Sequence, residues 1–415
     1  MARSQRYIVG IDLGSTKVCC VVGEMKEGGS VEVLGVGRAA SKGLRRGTIA
    51  NLDAAVEALK AAVEEAETMA AVTVEKALVG ISGAHIRGFN SRGVVAVTGR
   101  EREVTPADIH RVLESARSIS LPPDRAIFHV VPQEFTVDDQ QGIGDPVGMT
   151  GSRLEANVHV VTGSLTAVHN ITNCVNRAGI EVTEVVLDQL AAAESTLKPE
   201  EKELGVALVD IGGSSTQIAV FDRGAIRHTA VVPTGGEQFT NDIAVGLRTP
   251  IQEAEQIKTQ YGCAIARMVD EDETIGVPTL GGRKPRRLSR QILCEILQPR
   301  SEELFTLVAE EIERSGWEGA LSSGVVLTGG GSQLEGLVEI AEQIFDLPVR
   351  IGAPAGVGGL VDLVSSASYG TAVGILLYGA AHHARRDVTR VPPYMLAKVS
   401  ARVKGLLSGI FGSGR

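Results

Sequence analysis

The sequence is poor in aromatic residues, which make up 3% of its 415 residues and include a single tryptophan. Basic residues are also fewer than acidic ones: the chain has 41 Lys and Arg and 50 Asp and Glu, which gives a formal net charge of -9. Few rings are therefore available to stack on bases, and the acidic chain would be repelled by a phosphate backbone. These two shortages argue against a nucleic-acid partner.

Cysteine is scarce as well. The five cysteines are odd in number and form no C-x-x-C pair, and Cys19 and Cys20 are adjacent within an apolar run. The eight histidines show no H-E-x-x-H or similar spacing. We therefore expect buried thiols in a reducing compartment and no transition-metal site.

Long apolar runs are also missing. The opening residues MARSQRYIVGIDLG contain no apolar core of a secretory signal, and no 18-residue stretch is both apolar and uncharged. We expect neither a secretory signal nor a membrane-spanning helix. The composition, 43% hydrophobic and 22% charged, is otherwise that of a folded chain, and 415 residues predict two or more lobes.

The two common phosphate-loop motifs are absent, because the chain has no G-K dipeptide and no G-x-G-x-x-G after a strand. A different pattern occurs twice instead. The stretches YIVGIDLGSTKVCCVVGE and GVALVDIGGSSTQIAVFDRG both read as strand, turn and strand, and they align with Asp12 on Asp210 and Gly14 on Gly212. Two aligned copies so far apart predict a duplicated lobe with one such hairpin in each.

The chemistry of this turn suits a nucleotide phosphate. A carboxylate at the end of a strand can hold Mg²⁺ through water, as we expect for Asp12 and Asp210. The glycines after it allow successive N–H groups to point at one anion, hydroxyls add donors, and a lysine supplies a point charge. The predicted phosphate-binding residues are Asp12, Gly14, Ser15, Thr16, Lys17, Asp210, Gly212, Gly213, Ser214 and Ser215.

Two further elements extend this candidate site. SGVVLTGGGSQLEGLVEIAEQIF reads as a buried strand, a glycine turn and a helix, and Gly329, Gly330, Gly331 and Ser332 would let a base or sugar approach the backbone. A helix is expected to begin at the two glycines of PTGGEQFTNDIAVGL. A later helix carries an acidic and a basic residue three positions apart. That later pair is either part of the site or an ordinary surface ion pair. The residues concerned are Gly235, Gly236, Glu255 and Lys258.

Together these elements resemble the superfamily of actin, heat-shock protein 70 and the sugar kinases. The resemblance implies a two-lobed actin-like α/β fold, a duplicated ribonuclease-H-like architecture, with ATP and Mg²⁺ as cofactors. VVLDQLAAAES looks like the helix that connects the lobes, on which the superfamily carries an acid or amide that positions the attacking water. Gln189 is the best match. The proline common in bacterial relatives is absent there, so we expect slow ATP hydrolysis at most.

Within the superfamily, the chain is similar to the FtsA family of bacterial cell-division proteins. The residues that carry this similarity are VGISGAHIRGFNSRGVVAV, EVTPADIHRVLESA, FHVVPQEFTVDD, DPVGMTGSRLEANVHVVTG, GGEQFTNDIAVGL and AEQIKTQYG. The resemblance implies an inserted small α+β subdomain of the SHS2 type, binding of ATP and self-association into filaments. It also implies attachment of the FtsZ ring to the cytoplasmic face of the inner membrane at the septum, and contacts with later division proteins.

On this basis the chain divides into several units. Residues 1–81, 161–197 and 362–384 are expected to form the first lobe, with residues 82–160 as the inserted subdomain. Residues 198–234 and 301–361 are expected to form the second lobe, and residues 235–300 its small subdomain. Residues 385–393 would be a linker, and residues 394–415 an amphipathic membrane-targeting helix.

The stretch GGRKPRRLSR is strongly basic and is either a solvated loop or a site for an acidic peptide. In the FtsA family this subdomain receives the acidic C-terminal tail of FtsZ, through a region that includes the following helix. The resemblance therefore implies a site for the FtsZ tail at Arg286, Arg287, Arg290 and Arg300.

The end of the chain, AKVSARVKGLLSGIFGSGR, is basic although the protein is acidic, and no Asp or Glu follows Asp387. On a helical wheel its apolar residues share one side and its basic residues flank them, which is typical of a helix lying in a membrane surface. A helix that docks on its own protein is the alternative. The predicted membrane contacts, on anionic lipids, are Leu396, Val399, Arg402, Val403, Lys404, Leu406, Leu407, Ile410 and Phe411.

Two other functions fit the same fold. A small-molecule kinase would need a general base, for which Asp188 is the obvious residue, and nothing in the sequence marks a sugar pocket. A chaperone-like or pilus-assembly relative is the other candidate, and a chaperone would need a substrate domain after the nucleotide core. The inserted subdomain and the basic tail favour the division protein over both.

Overall fold

The computed structural model describes residues 7–99, 101–279 and 285–389. The first lobe is built on a six-stranded sheet in the order β11-β6-β1-β2-β3-β19. Strands β1, β2 and β3 are antiparallel neighbours, and β6 and β11 continue the sheet in parallel. Its first elements are β1 (Tyr7–Leu13), β2 (Lys17–Met25), β3 (Val31–Ala40), β4 (Leu44–Arg45), β5 (Thr48–Ile49), α1 (Leu52–Ala70) and β6 (Lys76–Ile81).

Helix α1 packs closely on β3. Asn51 caps this helix by accepting a hydrogen bond from the Ala54 N–H, and its buried face carries alanines and leucine at helical spacing. Gly37 lies beneath it, where a Cβ atom would overlap the carbonyl oxygen of Ala62. The glycine therefore sets the short distance between sheet and helix.

The inserted subdomain is a four-stranded antiparallel sheet in the order β7-β10-β8-β9 with one helix. Thr105 and Asp108 form a reciprocal capping box at the start of this helix, and Pro106 takes its first turn, as the sequence T-P-A-D predicts. Its elements are β7 (Arg87–Ala96), α2 (Pro106–Arg117), β8 (Arg125–Val137), β9 (Gln140–Ile143) and β10 (Arg153–Ser164).

The chain then completes the first lobe and enters the second. The second sheet has the order β14-β13-β12-β17-β18, with an antiparallel β12-β13-β14 unit and parallel β17 and β18. This repeats the arrangement of β1, β2, β3, β6 and β11, so the predicted duplication is confirmed. The elements up to β14 are α3 (Leu165–Arg177), β11 (Glu181–Leu187), α4 (Asp188–Thr196), α5 (Pro199–Leu204), β12 (Val206–Ile211), β13 (Thr216–Asp222) and β14 (Ala225–Val232).

The remaining chain forms the small subdomain of the second lobe, finishes its sheet and returns to the first lobe. Short 3₁₀ helices occur at Ala266–Met268, Glu318–Ala320, Gly330–Gln333 and Ala367–Tyr369. The other elements are α6 (Gly236–Gly246), α7 (Ile251–Tyr261), β15 (Thr274–Val277), β16 (Arg286–Ser289), α8 (Arg290–Ser315), β17 (Val325–Thr328), α9 (Leu337–Phe345), β18 (Val349–Ile351), β19 (Val357–Gly359), α10 (Val361–Val364) and α11 (Gly370–Thr389).

Three expected boundaries differ in the structure. Strand β19 pairs with β3, so the chain rejoins the first lobe before residue 362; a three-residue strand leaves no hydrophobic period to read. Helix α8 crosses residue 300, because its buried stripe belongs to one core shared by the subdomain and the lobe. Helix α11 continues through residues 385–389 of the expected linker, since neither Gly nor Pro occurs between Gly379 and Pro392.

Candidate functional site

A cavity of about 460 Å³ lies in the cleft between the two lobes. The ends of β1 and β12 reach it from the two sheets, and the starts of α4, α6 and α11 also line it. The structure brings together at this cavity most of the residues that the sequence predicts for nucleotide binding: Asp12, Gly14, Ser15, Thr16, Lys17, Asp210, Gly212, Gly213, Ser214, Ser215, Gly236, Glu255, Lys258, Gly329, Gly330 and Gly331.

Gly235 and Ser332 are not among the lining residues. A Cβ atom on Gly235 would lie 2.6 Å from the Gly212 carbonyl oxygen, so this glycine allows the α6 start to approach the second loop. Ser332 is buried and its hydroxyl donates to the Gly329 carbonyl at 2.7 Å. Both residues therefore shape the loops that line the cavity.

The two phosphate-loop candidates meet across the cleft. The Ser15 and Ser214 hydroxyls are hydrogen-bonded at 2.6 Å. The N–H groups of Gly236 and Glu237 donate to the Gly212 and Gly213 carbonyls at 2.9 and 2.7 Å, which joins the start of α6 to the second loop. The N terminus of α6 thus points its partial positive charge toward the same space as the loops.

Three aspartates line the cavity: Asp12, Asp188 and Asp210. Burial raises the pKa of Asp12 to about 6, with Lys17 opposing the rise, and burial also raises the pKa values of Asp188 and Asp210. Lys17 is the only basic residue in the described part of the chain that lowers the pKa values of Asp12 and Asp210. Such a group of buried acids favours the arrival of a cation, because their ionised forms are otherwise poorly compensated.

Direct coordination of a metal is a separate matter. Within residues 7–99, 101–279 and 285–389, no group of three His, Cys, Asp or Glu side chains is placed to hold a metal ion. Aspartates that approach a cation through its bound waters do not need such a group, and Mg²⁺ commonly keeps several waters. The residues present therefore fit a hydrated Mg²⁺ better than a directly coordinated transition metal.

Lys17 extends from the first loop toward the start of α11. Its ammonium donates to the Ser368 carbonyl at 2.5 Å and lies 4.0 Å from the centroid of the Tyr369 ring. Lys258 serves the other end of the cavity, where its ammonium donates to the Gly236 carbonyl, the Thr240 hydroxyl and Glu255 at 2.7–3.0 Å. Glu255 and Lys258 both line the cavity, so this ion pair lies at the candidate site.

The structure places Gln189 outside the cavity. Its side chain is buried and its amide donates to the Ala230 carbonyl at 3.3 Å. The preceding residue, Asp188, lines the cavity instead. Successive residues of a helix point about 100° apart, so only one of the two can face the cleft. Of these two neighbouring residues, Asp188 is therefore the one that a water molecule in the cavity could meet.

The four arginines predicted for a peptide site do not form one cluster. Arg290 lines the cavity and binds the Tyr261 carbonyl, Glu273 and Glu335 at 2.8–3.1 Å. Its position follows from the Ser289 cap, which starts α8 at the cleft and separates Arg290 from the strand before it. Arg290 thus lies at the cavity, where it pairs with Glu273 and Glu335.

The other three arginines lie away from the cavity. The Arg286 guanidinium contacts the Leu247 carbonyl, and Arg287 is exposed beside it on β16. Arg300 donates to Asp242 at 2.6 Å and also pairs with Glu303. The positions of these three arginines are compatible with a peptide site, although Arg300 already pairs with two acidic residues.

Among the lining residues that sequence reasoning missed is the segment Ser366–Thr371, before and at the start of α11. Ala367, Ser368 and Thr371 line the cavity, and the Thr371 hydroxyl donates to Asp210 at 2.9 Å. The only signal in the sequence is a run of small polar residues, S-S-A-S-Y-G-T, ahead of an apolar helix. Nothing in that run points to a carboxylate far away along the chain.

The predicted membrane contacts at 394–415 lie outside the described residues. Across the described ranges, no helix is both long and apolar enough to span a bilayer.

Two sheets of the same order that enclose one cleft, with a carboxylate and a glycine turn from each, define a two-lobed actin-like protein. Solved structures agree with this fold. A PilM–PilN type IV pilus biogenesis complex matches at a TM-score of 0.64 and 17% identity, over 90% of this chain and 98% of that one. MreB5 of Spiroplasma citri bound to ADP matches at 0.53 and 16%, over 89% and 95%. At these identities the likeness shows the fold alone.

Sequence comparisons narrow the assignment from the fold to a protein family. The family model "Cell division protein FtsA" matches residues 207–374, and "SHS2 domain inserted in FTSA" matches residues 83–162. The cell division protein FtsA of Pseudomonas aeruginosa is 51% identical over 91% of this chain and 90% of its own length. Those of Neisseria meningitidis and Escherichia coli K12 are 44% and 39% identical, over 91% and 98% of this chain. The chain therefore belongs to the FtsA family of cell division proteins, as its motifs predict.

Proposed function

We propose that the chain binds ATP with Mg²⁺, self-associates and attaches FtsZ to the cytoplasmic face of the cell membrane at the division septum. The observation that carries the first part is the meeting of two glycine turns and three buried carboxylates at one cavity. The family membership supports the role in division, and the basic amphipathic end of the sequence supports the attachment to lipid.

In the proposed site, the phosphates lie against the two glycine turns, where N–H groups and the Ser15 and Ser214 hydroxyls can donate to them. Lys17 adds a positive charge near the phosphates. Mg²⁺, when bound, would neutralise phosphate charge, with Asp12 and Asp210 holding its waters. Asp188 replaces Gln189 as the residue proposed to position a water. MreB5 of Spiroplasma citri, which has the same fold, was solved bound to ADP, and this supports the proposed binding of a nucleotide.

Polymerisation and the partners follow from the family. We propose that the inserted subdomain provides contacts between copies of the chain and with later division proteins. The FtsZ tail is proposed to bind the small subdomain of the second lobe. Of the four arginines first predicted for that tail, we retain Arg286, Arg287 and Arg300 and assign Arg290 to the cleft, because it lines the cavity and is held by Glu273 and Glu335.

Co-sedimentation with anionic liposomes tests this function. We expect FtsZ to pellet with the liposomes when the chain and ATP are present. FtsZ that lacks the C-terminal tail of FtsZ should stay in the supernatant. FtsZ without the chain is the second control. Failure of the intact chain to bring intact FtsZ to the liposomes would contradict the tethering function.

Reversing the charge of Arg300 should weaken binding of the FtsZ tail by at least about tenfold, because attraction is replaced by repulsion. In Arg300→Glu, the new carboxylate would lie beside Asp242 and Glu303, which now neutralise the arginine. Fluorescence anisotropy of a labelled FtsZ tail peptide measures the affinity, and nucleotide affinity should stay unchanged.

A matched control is available on the same helix. Arg314 is also on α8 and pairs with Glu311 three residues before it, but it lies at the other end of the helix. Arg314→Glu makes the same change in net charge and should alter peptide affinity by about twofold at most, as expected for an exposed charge. Equal losses in the two variants would point to a general charge effect and against a site at Arg300.

A further inference from the structure

We propose that Thr371 is a positioning residue of the nucleotide site: its hydroxyl fixes the Asp210 carboxylate in the orientation that holds the waters of Mg²⁺. The start of α11 thereby becomes a third structural part of the phosphate end, beside the two glycine turns. This inference rests on the proposed binding of a magnesium nucleotide.

The contact itself is specific. The Thr371 hydroxyl donates to Oδ2 of Asp210 at 2.9 Å, and both residues line the cavity. Within the part of the chain that the structure describes, this is the one hydrogen bond that the Asp210 side chain accepts. Asp210 is only 5% exposed, so bulk water contributes little to its orientation.

The second oxygen of Asp210 is restricted from the opposite side. Gly329 has a φ of +83°, and a Cβ atom there would overlap Oδ1 of Asp210. The carboxylate thus lies between the Gly329 backbone and the Thr371 hydroxyl. With Oδ2 held by Thr371 and Oδ1 next to Gly329, rotation of the carboxylate would break the hydrogen bond or collide with the loop.

Buried hydroxyl groups hold the segment that carries Thr371. The Ser195 hydroxyl donates to the Gly370 carbonyl at 2.6 Å, and the Thr328 hydroxyl lies 2.9 Å from the Gly352 carbonyl and 3.3 Å from the Ala367 carbonyl. Ser195 and Thr328 are 2% and 0% exposed. Elements of both lobes therefore fix the start of α11, and with it the direction of the Thr371 hydroxyl.

This geometry has a chemical consequence for a hydrated cation. Mg²⁺ requires a nearly ideal octahedral arrangement, so a carboxylate that accepts from its waters must be held in one orientation. Loss of a hydrogen bond that orients such a group commonly lowers metal affinity about 10–100-fold. Removal of the Thr371 hydroxyl should accordingly weaken the part of nucleotide binding that depends on Mg²⁺.

The test compares Thr371→Val, which keeps the shape and removes the hydroxyl, with Thr371→Ser, which keeps the hydroxyl. Binding of fluorescent N-methylanthraniloyl-ADP is titrated with Mg²⁺ and with EDTA. With Mg²⁺, we expect the valine variant to bind about 10–100-fold more weakly and the serine variant within about threefold of wild type. In EDTA, all three proteins should bind alike.

Two results would overturn the proposal. Unchanged affinity of Thr371→Val with Mg²⁺ would show that the hydroxyl has no role, and an equal loss in EDTA would show that the residue acts through packing alone. Thr371→Ala, with melting temperatures for every variant, provides the same comparison if the valine does not fold. Wild-type protein that binds no nucleotide in either buffer would instead refute the proposed function, and this inference with it.

Discussion

Replacing Asp210 by alanine should reduce the affinity for magnesium ADP or ATP by at least about 100-fold, since a buried charge that orients the cation and phosphates contributes several kcal/mol. Asp210 is the last residue but one of β12, lines the cavity and accepts a hydrogen bond from Thr371. Its loss removes one of the two carboxylates proposed to hold the Mg²⁺ waters. Isothermal titration calorimetry measures the change directly.

Fold stability separates loss of the site from loss of the structure. Burial raises the pKa of Asp210, so its ionised form is less favourable in the folded protein than in the unfolded chain. A carboxyl group whose pKa is raised by folding makes the folded protein less stable as the pH rises through that pKa. Alanine removes this penalty. At pH 8 without Mg²⁺, Asp210→Ala should therefore melt no lower than wild type. Asp362→Ala, on the exposed start of α10, is the matched control.

Unchanged nucleotide affinity in Asp210→Ala would contradict the assignment of the cleft as the nucleotide site. A large fall in melting temperature together with lost binding would assign Asp210 a structural role instead. Retained binding in Asp362→Ala is needed for either conclusion, because it shows that the loss of one aspartate has no general effect.

The phosphate end of the site could be predicted because its signals are local. Each turn follows an apolar strand directly, and the two copies reinforce each other, so Asp12 and Asp210 fall at equivalent sheet positions. The start of the helix in the insert was predictable for a similar reason, since a proline and a capping pair mark it. Local signals of this kind remain readable without any knowledge of the fold.

Local patterns cannot indicate positions that depend on tertiary packing. Arg286 and Arg290 are four residues apart, but a strand ends and a helix begins between them; Arg286 contacts the Leu247 carbonyl, whereas Arg290 lines the cavity. Gln189 matches a family position by residue type, and the orientation of α4 selects its neighbour Asp188. Thr371 lies 161 residues from its partner Asp210, and no local pattern can indicate such a contact.

Replacing Ile410 by glutamate should reduce binding to anionic liposomes about 30-fold or more. Ile410 is at the centre of the apolar side of the predicted tail helix, and burial of one such side chain contributes about 1.5–3 kcal/mol. A buried carboxylate adds a further penalty, and repulsion from the anionic leaflet costs about 1 kcal/mol. Flotation of the full-length chain with liposomes measures the loss.

The matched control is Ser408→Glu, which adds the same charge on the polar side of the same predicted helix. It should lower liposome binding only about fivefold, because repulsion changes and no apolar contact is lost. Equal losses in the two variants would mean that charge alone attracts the tail to lipid. Unchanged binding in Ile410→Glu would support the alternative, in which the apolar side docks on the protein itself.

The size of these effects also depends on self-association. Ordering a tail of this length costs an amount similar to what its apolar side chains contribute, so one tail should bind weakly and reversibly. Tails joined in one polymer attach at high effective concentration after the first has bound. We therefore expect polymer to bind liposomes much more tightly than a monomeric variant, with Ile410→Glu harming both. Equal binding of monomer and polymer would show that attachment does not depend on how many copies are joined.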